Sequence, residues 1–314
     1  MNEFTMTNGT IKTMETFAST IKSCVELSLG DNYEVQVHEN RKNNGVLLTG
    51  ITIKEKNSKV APMIYLEGAF ESYLKGRSLA AICTDVIRVY KENNDLGTFD
   101  ASELMDYEKI KDKVCYRLIN QERNMAFLEG VPHIKFHDLA IIFYLEVFKN
   151  KESTGTLTVT NEIMDVWKKD AFSVIKDAVR NTETLLEGVV VHMADLLEEL
   201  RGKLFPDGEA VYYDISPREL FPMYVASNET RANGAAVMLY TNFLEDFADE
   251  IGSSFYILPS SIHELIFLPD SPDMDVEYFK QMVKEINIME VAPQEVLSDN
   301  VYYFDRGTGL LTMM

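Results

Sequence analysis

Between Met223 and Phe304 the apolar residues switch between a period of two and a period near 3.6, and the order of those switches limits the fold more than any other feature of the chain. Met223 to Ala226 reads as a strand, Gly234 to Ile251 as an amphipathic helix, Phe255 to Leu258 and Glu264 to Leu268 as strands, Val276 to Ile288 as a helix, and Val301 to Phe304 as a final strand. A β-α-β-β-α-β order recurs where helices cover a largely antiparallel sheet. The expected class is α+β, with mixed, mainly antiparallel sheets and helices packed on one face.

The preceding residues fit the same class. Ile11, Met14, Phe17, Ile21, Val25 and Leu29 fall at helical spacing, and Gly30 supplies the stop. Tyr33, Val35 and Val37 alternate with polar residues, and a turn at Asn43-Asn44-Gly45 leads to a second strand carrying Ile51 and Ile53, which makes a β-hairpin. Helical sequence covers Leu66 to Asn93 with a break at Gly76, a loop spans Asn93 to Thr98, and a helix is expected over Asp100 to Asp112. Strands follow at Val114 to Ile119, Ile134 to Val147 and Thr156 to Thr160, with Lys149 to Gly155 as a hairpin turn. Helices then cover Glu162 to Leu186 and Val189 to Leu200. Three segments result, 1–97, 98–205 and 206–314, either as separate modules or as one continuous compact unit.

Composition excludes several classes. No run approaches the roughly 18 to 20 apolar residues of a membrane helix, and the apolar run Leu139 to Val147 contains Glu146. Met1 to Thr13 lacks the basic start and apolar middle of a secretory leader, so a cytoplasmic location is expected. Cys24, Cys83 and Cys115 are odd in number and far apart, which fits neither a disulfide framework nor a cysteine metal site. The formal net charge is -20, and from residue 211 onward 17 Asp and Glu face 5 Lys and Arg. Such a surface repels nucleic acid and favours a basic protein partner. The oligomeric state is left open.

Three polar groups are candidates for chemistry. His133 and His137, four apart, form a candidate metal pair, although Lys135 between them opposes a cation. Ser260, Ser261, His263 and Glu264 bring together the parts of an activated nucleophile, with Ser261, His263 and Glu264 as the catalytic candidates. In an extended chain, however, Ser261 and His263 stand roughly 6 to 7 Å apart and Glu264 points to the other face, so a chain reversal is the simpler reading. Arg117, Asn120, Arg123 and Asn124 form a group able to hold a carboxylate or phosphate, and Asn228 joins Ser260 and His263 as a further binding candidate. Glycine-rich phosphate loops are absent from the sequence, so no cofactor is expected.

The runs Asn43-Asn44-Gly45-Val46, Ile64-Tyr65-Leu66-Glu67, Arg117-Leu118-Ile119-Asn120, Pro132-His133-Ile134, Gly234-Ala235-Ala236, Leu258-Pro259-Ser260-Ser261-Ile262-His263-Glu264 and Leu297-Ser298-Asp299 resemble an uncharacterised family of gut-dwelling clostridia. The element order from Met223 to Leu268 is fainter in its similarity to a second uncharacterised cytosolic family of bacilli. The resemblance implies a bacterial cytosolic origin and brings no activity with it. The sequence alone favours a non-catalytic binding or regulatory protein with an acidic surface. The alternatives are a hydrolase or other small-molecule enzyme built around Ser260 to Glu264, and a defence or counter-defence component of a mobile element.

Overall fold

The computed structural model describes residues 11–56, 63–93, 103–149, 154–204, 218, 222–272 and 274–314. Most of the loop expected after Asn93 and of the turn expected after Lys149 lies outside these residues. The chain divides into two compact units, Met1–Lys42 with Val46–Phe99, and Asn43–Gly45 with Asp100–Met314.

In the first unit, helix α1 (Met14–Leu29) starts where the Thr13 hydroxyl accepts the Thr16 amide and stops at Gly30, whose φ of 79° suits a residue without a Cβ. Strands β1 (Tyr33–Arg41), β2 (Leu47–Glu55) and β3 (Met63–Tyr65) form an antiparallel sheet in that order. Helices α2 (Glu67–Leu74) and α3 (Leu79–Asn93) complete the unit. Because β1 and β2 alternate, Val35, Ile51 and Ile53 share one face and pack on Phe17, Ile21 and Val25 of α1 and on Ile82, Val86 and Tyr90 of α3. Here the helices lie on one face of the sheet, as expected.

The second unit begins with a short helix, α4 (Tyr107–Ile110), set between two 3-10 turns where the sequence predicted one longer helix. Strand β4 (Val114–Asn120), helix α5 (Met125–Leu128) and strands β5 (His133–Phe136), β6 (Leu139–Lys149) and β7 (Thr154–Thr158) follow. They form a four-stranded antiparallel sheet, β4 on one edge of β6 and β5 and β7 on the other. The single strand expected from Ile134 to Val147 is therefore two strands. The chain reverses at His137-Asp138, where His137 takes a φ of 52°, and two polar residues that also suit the wet side of a strand conceal the turn.

Helices α6 (Asn161–Trp167) and α7 (Ala171–Leu185) are separated by Lys168 in the left-handed region, so the expected long helix is also two elements. A capping box of Asp170 and Ser173 starts α7. This helix closes the free edge of β4: Asn181 donates to the Val114 carbonyl and the Thr182 hydroxyl accepts the Tyr116 amide. An edge strand so covered offers no template to another chain.

The remaining elements are β8 (Gly188–His192), α8 (Met193–Leu204), β9 (Tyr224–Asn228), a 3-10 segment at Gly234–Leu239, α9 (Phe243–Ile251), β10 (Phe255–Pro259), β11 (Leu265–Pro269), α10 (Val276–Met289), β12 (Tyr302–Asp305) and β13 (Leu310–Met313). The six strands run β13-β12-β10-β11-β9-β8, each ladder antiparallel. Val189 to Val191 open no helix. Their β-branched side chains form the edge strand β8 instead.

In this sheet helices cover both faces, unlike the expected one. Phe255, Ile257, Leu265 and Phe267 join Phe247 and Ala248 of α9 in the main core, while Tyr256, Leu258 and Leu268 pack with Phe279 and Val283 of α10. The cause lies in β10 and β11, which read FYILP and LIFLP and carry apolar residues to both sides. That main core also contains Val114, Phe143 and Trp167, so the segments 98–205 and 206–314 share one interior. Among the described residues no helix is long and apolar enough to cross a membrane.

Candidate functional site

The loop between β10 and β11 holds the serine and histidine candidates. The Ser260 and Ser261 amides both donate to the Glu264 carbonyl, at 3.3 and 3.2 Å, which folds the five residues into a tight reversal. Each side chain has a partner within or beside the loop. The Ser260 hydroxyl donates to Glu264 Oε1 at 3.1 Å, and Ser261 Oγ accepts the His263 amide at 3.0 Å. His263 Nδ1 accepts the Asn233 amide at 3.1 Å, so a neutral ring carries its proton on Nε2, 4.0 Å from Glu295 Oε1. Neither serine hydroxyl is hydrogen-bonded to the imidazole, the contact that activates a nucleophile.

Neighbouring backbone locks this loop in place. The Ile262 amide donates to the Glu295 carbonyl at 2.8 Å, the Ala235 amide donates to the Ile262 carbonyl at 3.2 Å, and the Ser227 hydroxyl donates to the His263 carbonyl at 2.7 Å. Gly234 sits against this junction with no room for a side chain. Asn228 is fully buried, and its amide group turns back on its own loop, donating to the Ala232 carbonyl and accepting from Thr230 and Ala232. It does not point at His263.

A second polar network joins residues far apart in sequence. The Asn124 amide group donates to Asn43 Oδ1, Asn44 Oδ1 and the Asn120 carbonyl, and accepts the Asn44 amide. Asn44 donates onward to the Pro293 and Val296 carbonyls, and Asn120 to the Leu297 carbonyl. Arg123 pairs with Asp299 at 2.6 Å, and Asn287 bridges the Ser298 carbonyl and Asp299 Oδ1.

At the turn after β5, the Asp138 carboxylate accepts hydrogen bonds from the Ser298 hydroxyl at 2.6 Å, Asn300 Nδ2 at 3.0 Å and the Tyr302 hydroxyl. Burial, reinforced by the charge of Asp138, pushes the Tyr302 hydroxyl well above the usual phenol range. This hydroxyl is therefore a fixed donor at neutral pH.

The sequence grouped Arg117 with Asn120 and Asn124, but the strand separates them. Residues three apart in β4 face opposite sides, so Asn120 enters the asparagine network while Arg117 lies on the other face, donating to Thr158 Oγ1 at 3.2 Å. The two histidines have different partners. His133 Nδ1 meets the Val131 carbonyl, while the His137 ring lies edge-on to Phe136 and tilted against Tyr302. Among the described residues no group of three or more His, Cys, Asp or Glu stands where it could hold a metal ion.

Among the residues that the sequence did not single out as site candidates are Glu295 facing His263, Asp138 at the Ser298 segment, and Thr158 beside Arg117. An open depression of about 520 Å³ lies at the other end of β10, bounded by Asp249, Gly252, Ser254 and Arg306. Arg306 crosses it, pairing with Asp249 and donating to the Gly252 carbonyl.

Both networks are assembled from the motif segments, and both use those residues to fasten loops together. Comparison with curated proteins and with solved structures gave no match. A family model covers residues 14–306, and the chain belongs to that family, DUF5688, a family of unknown function.

Proposed function

We propose that this is a non-catalytic binding or regulatory protein of the bacterial cytosol that recognises a basic protein partner. The observation that carries the reading is a contrast between two sets of polar groups. Ser260, Ser261, His263 and Asn228 are committed to their own loops, whereas Glu245, Asp246, Asp249 and Glu250 stand exposed on α9, with Asp249 paired to Arg306. An exposed carboxylate row steers cationic partners at long range and is screened by salt. The clostridial resemblance of the motif segments supports the bacterial origin.

The test is titration of a lysine- and arginine-rich synthetic peptide against the full chain at low and at physiological salt. The triple variant Glu245→Gln, Asp246→Asn, Glu250→Gln is expected to weaken binding about tenfold, the equivalent of ~1.4 kcal/mol. A control variant with the same charge change in the first unit, Glu15→Gln, Asp31→Asn, Glu39→Gln, is expected to weaken it much less. Equal losses in the two variants would mean that net charge alone attracts the peptide, and the reading would fail. A hydrolase reading keeps one supporting contact, the approach of His263 Nε2 to Glu295.

A further inference from the structure

Arg117 is a half-buried cation whose Nε is enclosed by the fold. Its Nε is buried and has no hydrogen-bond partner, and Arg117 takes part in none of the ion pairs among the described residues. What it does meet is weak. One N–H reaches the Thr158 hydroxyl at 3.2 Å, and the guanidinium carbon lies 5.6 Å from the centre of the Tyr144 ring. Burial holds its pKa below the ordinary arginine value, and Tyr144 alone acts in the opposite direction.

Strand register shows what surrounds it. Pairing aligns Cys115 with Tyr144 and Thr158, Arg117 with Ile142 and His133, and Ile119 with Ala140 and Lys135, so these rows share one face of the four-stranded sheet. The three rows contain no carboxylate; the next row on this face, beyond Tyr144 and Thr158, carries Glu146 with Thr156. Cys115 and Tyr144 are buried, while His133 and Lys135 are exposed at the strand beyond β6. The hydrogen bond from His133 Nδ1 to the Val131 carbonyl leaves Nε2 without a partner among the described residues.

Taking even part of a guanidinium out of water is costly unless an anion accompanies it, and the planar edge of a guanidinium can hold two oxygens at once. We propose that this face of the four-stranded sheet is a binding site for a small oxyanion, a carboxylate or a phosphate. Arg117 grips the anion, the Thr158 hydroxyl stands beside it, and His133 and Lys135 add positive charge on the same face. The site is distinct from the acidic row on α9 and does not depend on it.

The test is thermal unfolding of the full chain at fixed ionic strength, with inorganic phosphate or succinate replacing chloride. One of the two is expected to give a saturable rise in midpoint of about 5 °C once it exceeds its dissociation constant roughly hundredfold. The anion that saturates first identifies the chemistry of the natural ligand. Arg117→Met is expected to keep the fold and lose the rise. No saturable rise with either anion, or the same rise in Arg117→Met, overturns the proposal. Should Arg117→Met not fold, Thr158→Val serves, with the dissociation constant of the effective anion expected to weaken about threefold to tenfold, in line with one lost hydrogen bond. An unchanged constant in Thr158→Val overturns it equally.

Discussion

Gly234→Ala is expected to lower the stability of the second unit by about 4 kcal/mol, or to prevent its folding, although it adds a single methyl group. A Cβ at that position would stand 2.0 Å from Ser227 Oγ, 2.3 Å from the His263 carbonyl oxygen and 2.9 Å from the Asn228 amide. Rotation of Ser227 would relieve the first contact at the loss of its hydrogen bond to His263. The other two neighbours are backbone, so either β9 or the Ser260 to Glu264 reversal must shift. Overpacking of this kind costs about 1 to 3 kcal/mol, and each buried partner left unsatisfied adds about 1 to 3 kcal/mol. In a unit of this size the melting midpoint should fall by roughly 10 °C. A fall of less than about 2 °C, the response to well under 1 kcal/mol, would show that the junction is looser than described.

Asp138→Ala is expected to cost a similar amount, about 4 kcal/mol, through lost acceptors and no steric clash. The carboxylate holds Ser298, Asn300 and Tyr302, and Tyr302 is fully buried, so its hydroxyl would be left inside the fold without that acceptor. Hydrogen bonds to a charged group contribute about 1.5 to 3 kcal/mol each, and three on one carboxylate are not additive. Asp138→Asn should fall between the two, because its oxygen can serve two of the three donors and its NH₂ group faces the third. Urea unfolding of the three proteins gives the comparison. A loss below about 1 kcal/mol in Asp138→Ala would mean that the Ser298 to Tyr302 segment is held by packing alone.

The order β9-α9-β10-β11-α10-β12 was legible because β10 and β11 are short apolar runs bounded by Gly252-Ser253 and Pro259 and by Pro269, while α9 and α10 keep helical spacing; the helix expected from Gly234 begins only at Phe243, after a 3-10 segment, and β13 was not expected. That same apolar density hid the two-sided burial of the sheet, since a run without alternation gives no preferred face. His137-Asp138 escaped notice because its residues also suit the wet side of a strand. The separation of Arg117 from Asn120 was readable in principle, as positions three apart on a strand cannot share a face. The Asp138 network was not, for its partners lie about 160 residues away and no local spacing encodes them. Reading Ser260 to Glu264 as a chain reversal agrees with the bonding found there, where contiguous residues satisfy one another.

The hydroxyls and imidazole of the loop after β10 hold a backbone reversal together and are not poised to react. Incubation of the full chain with a fluorophosphonate, which labels activated serines covalently, followed by intact-mass spectrometry, addresses it most directly. An unmodified mass is expected, the same as for a His263→Ala variant. A stoichiometric adduct mapped to Ser260 or Ser261, and lost when His263 is replaced, would contradict it.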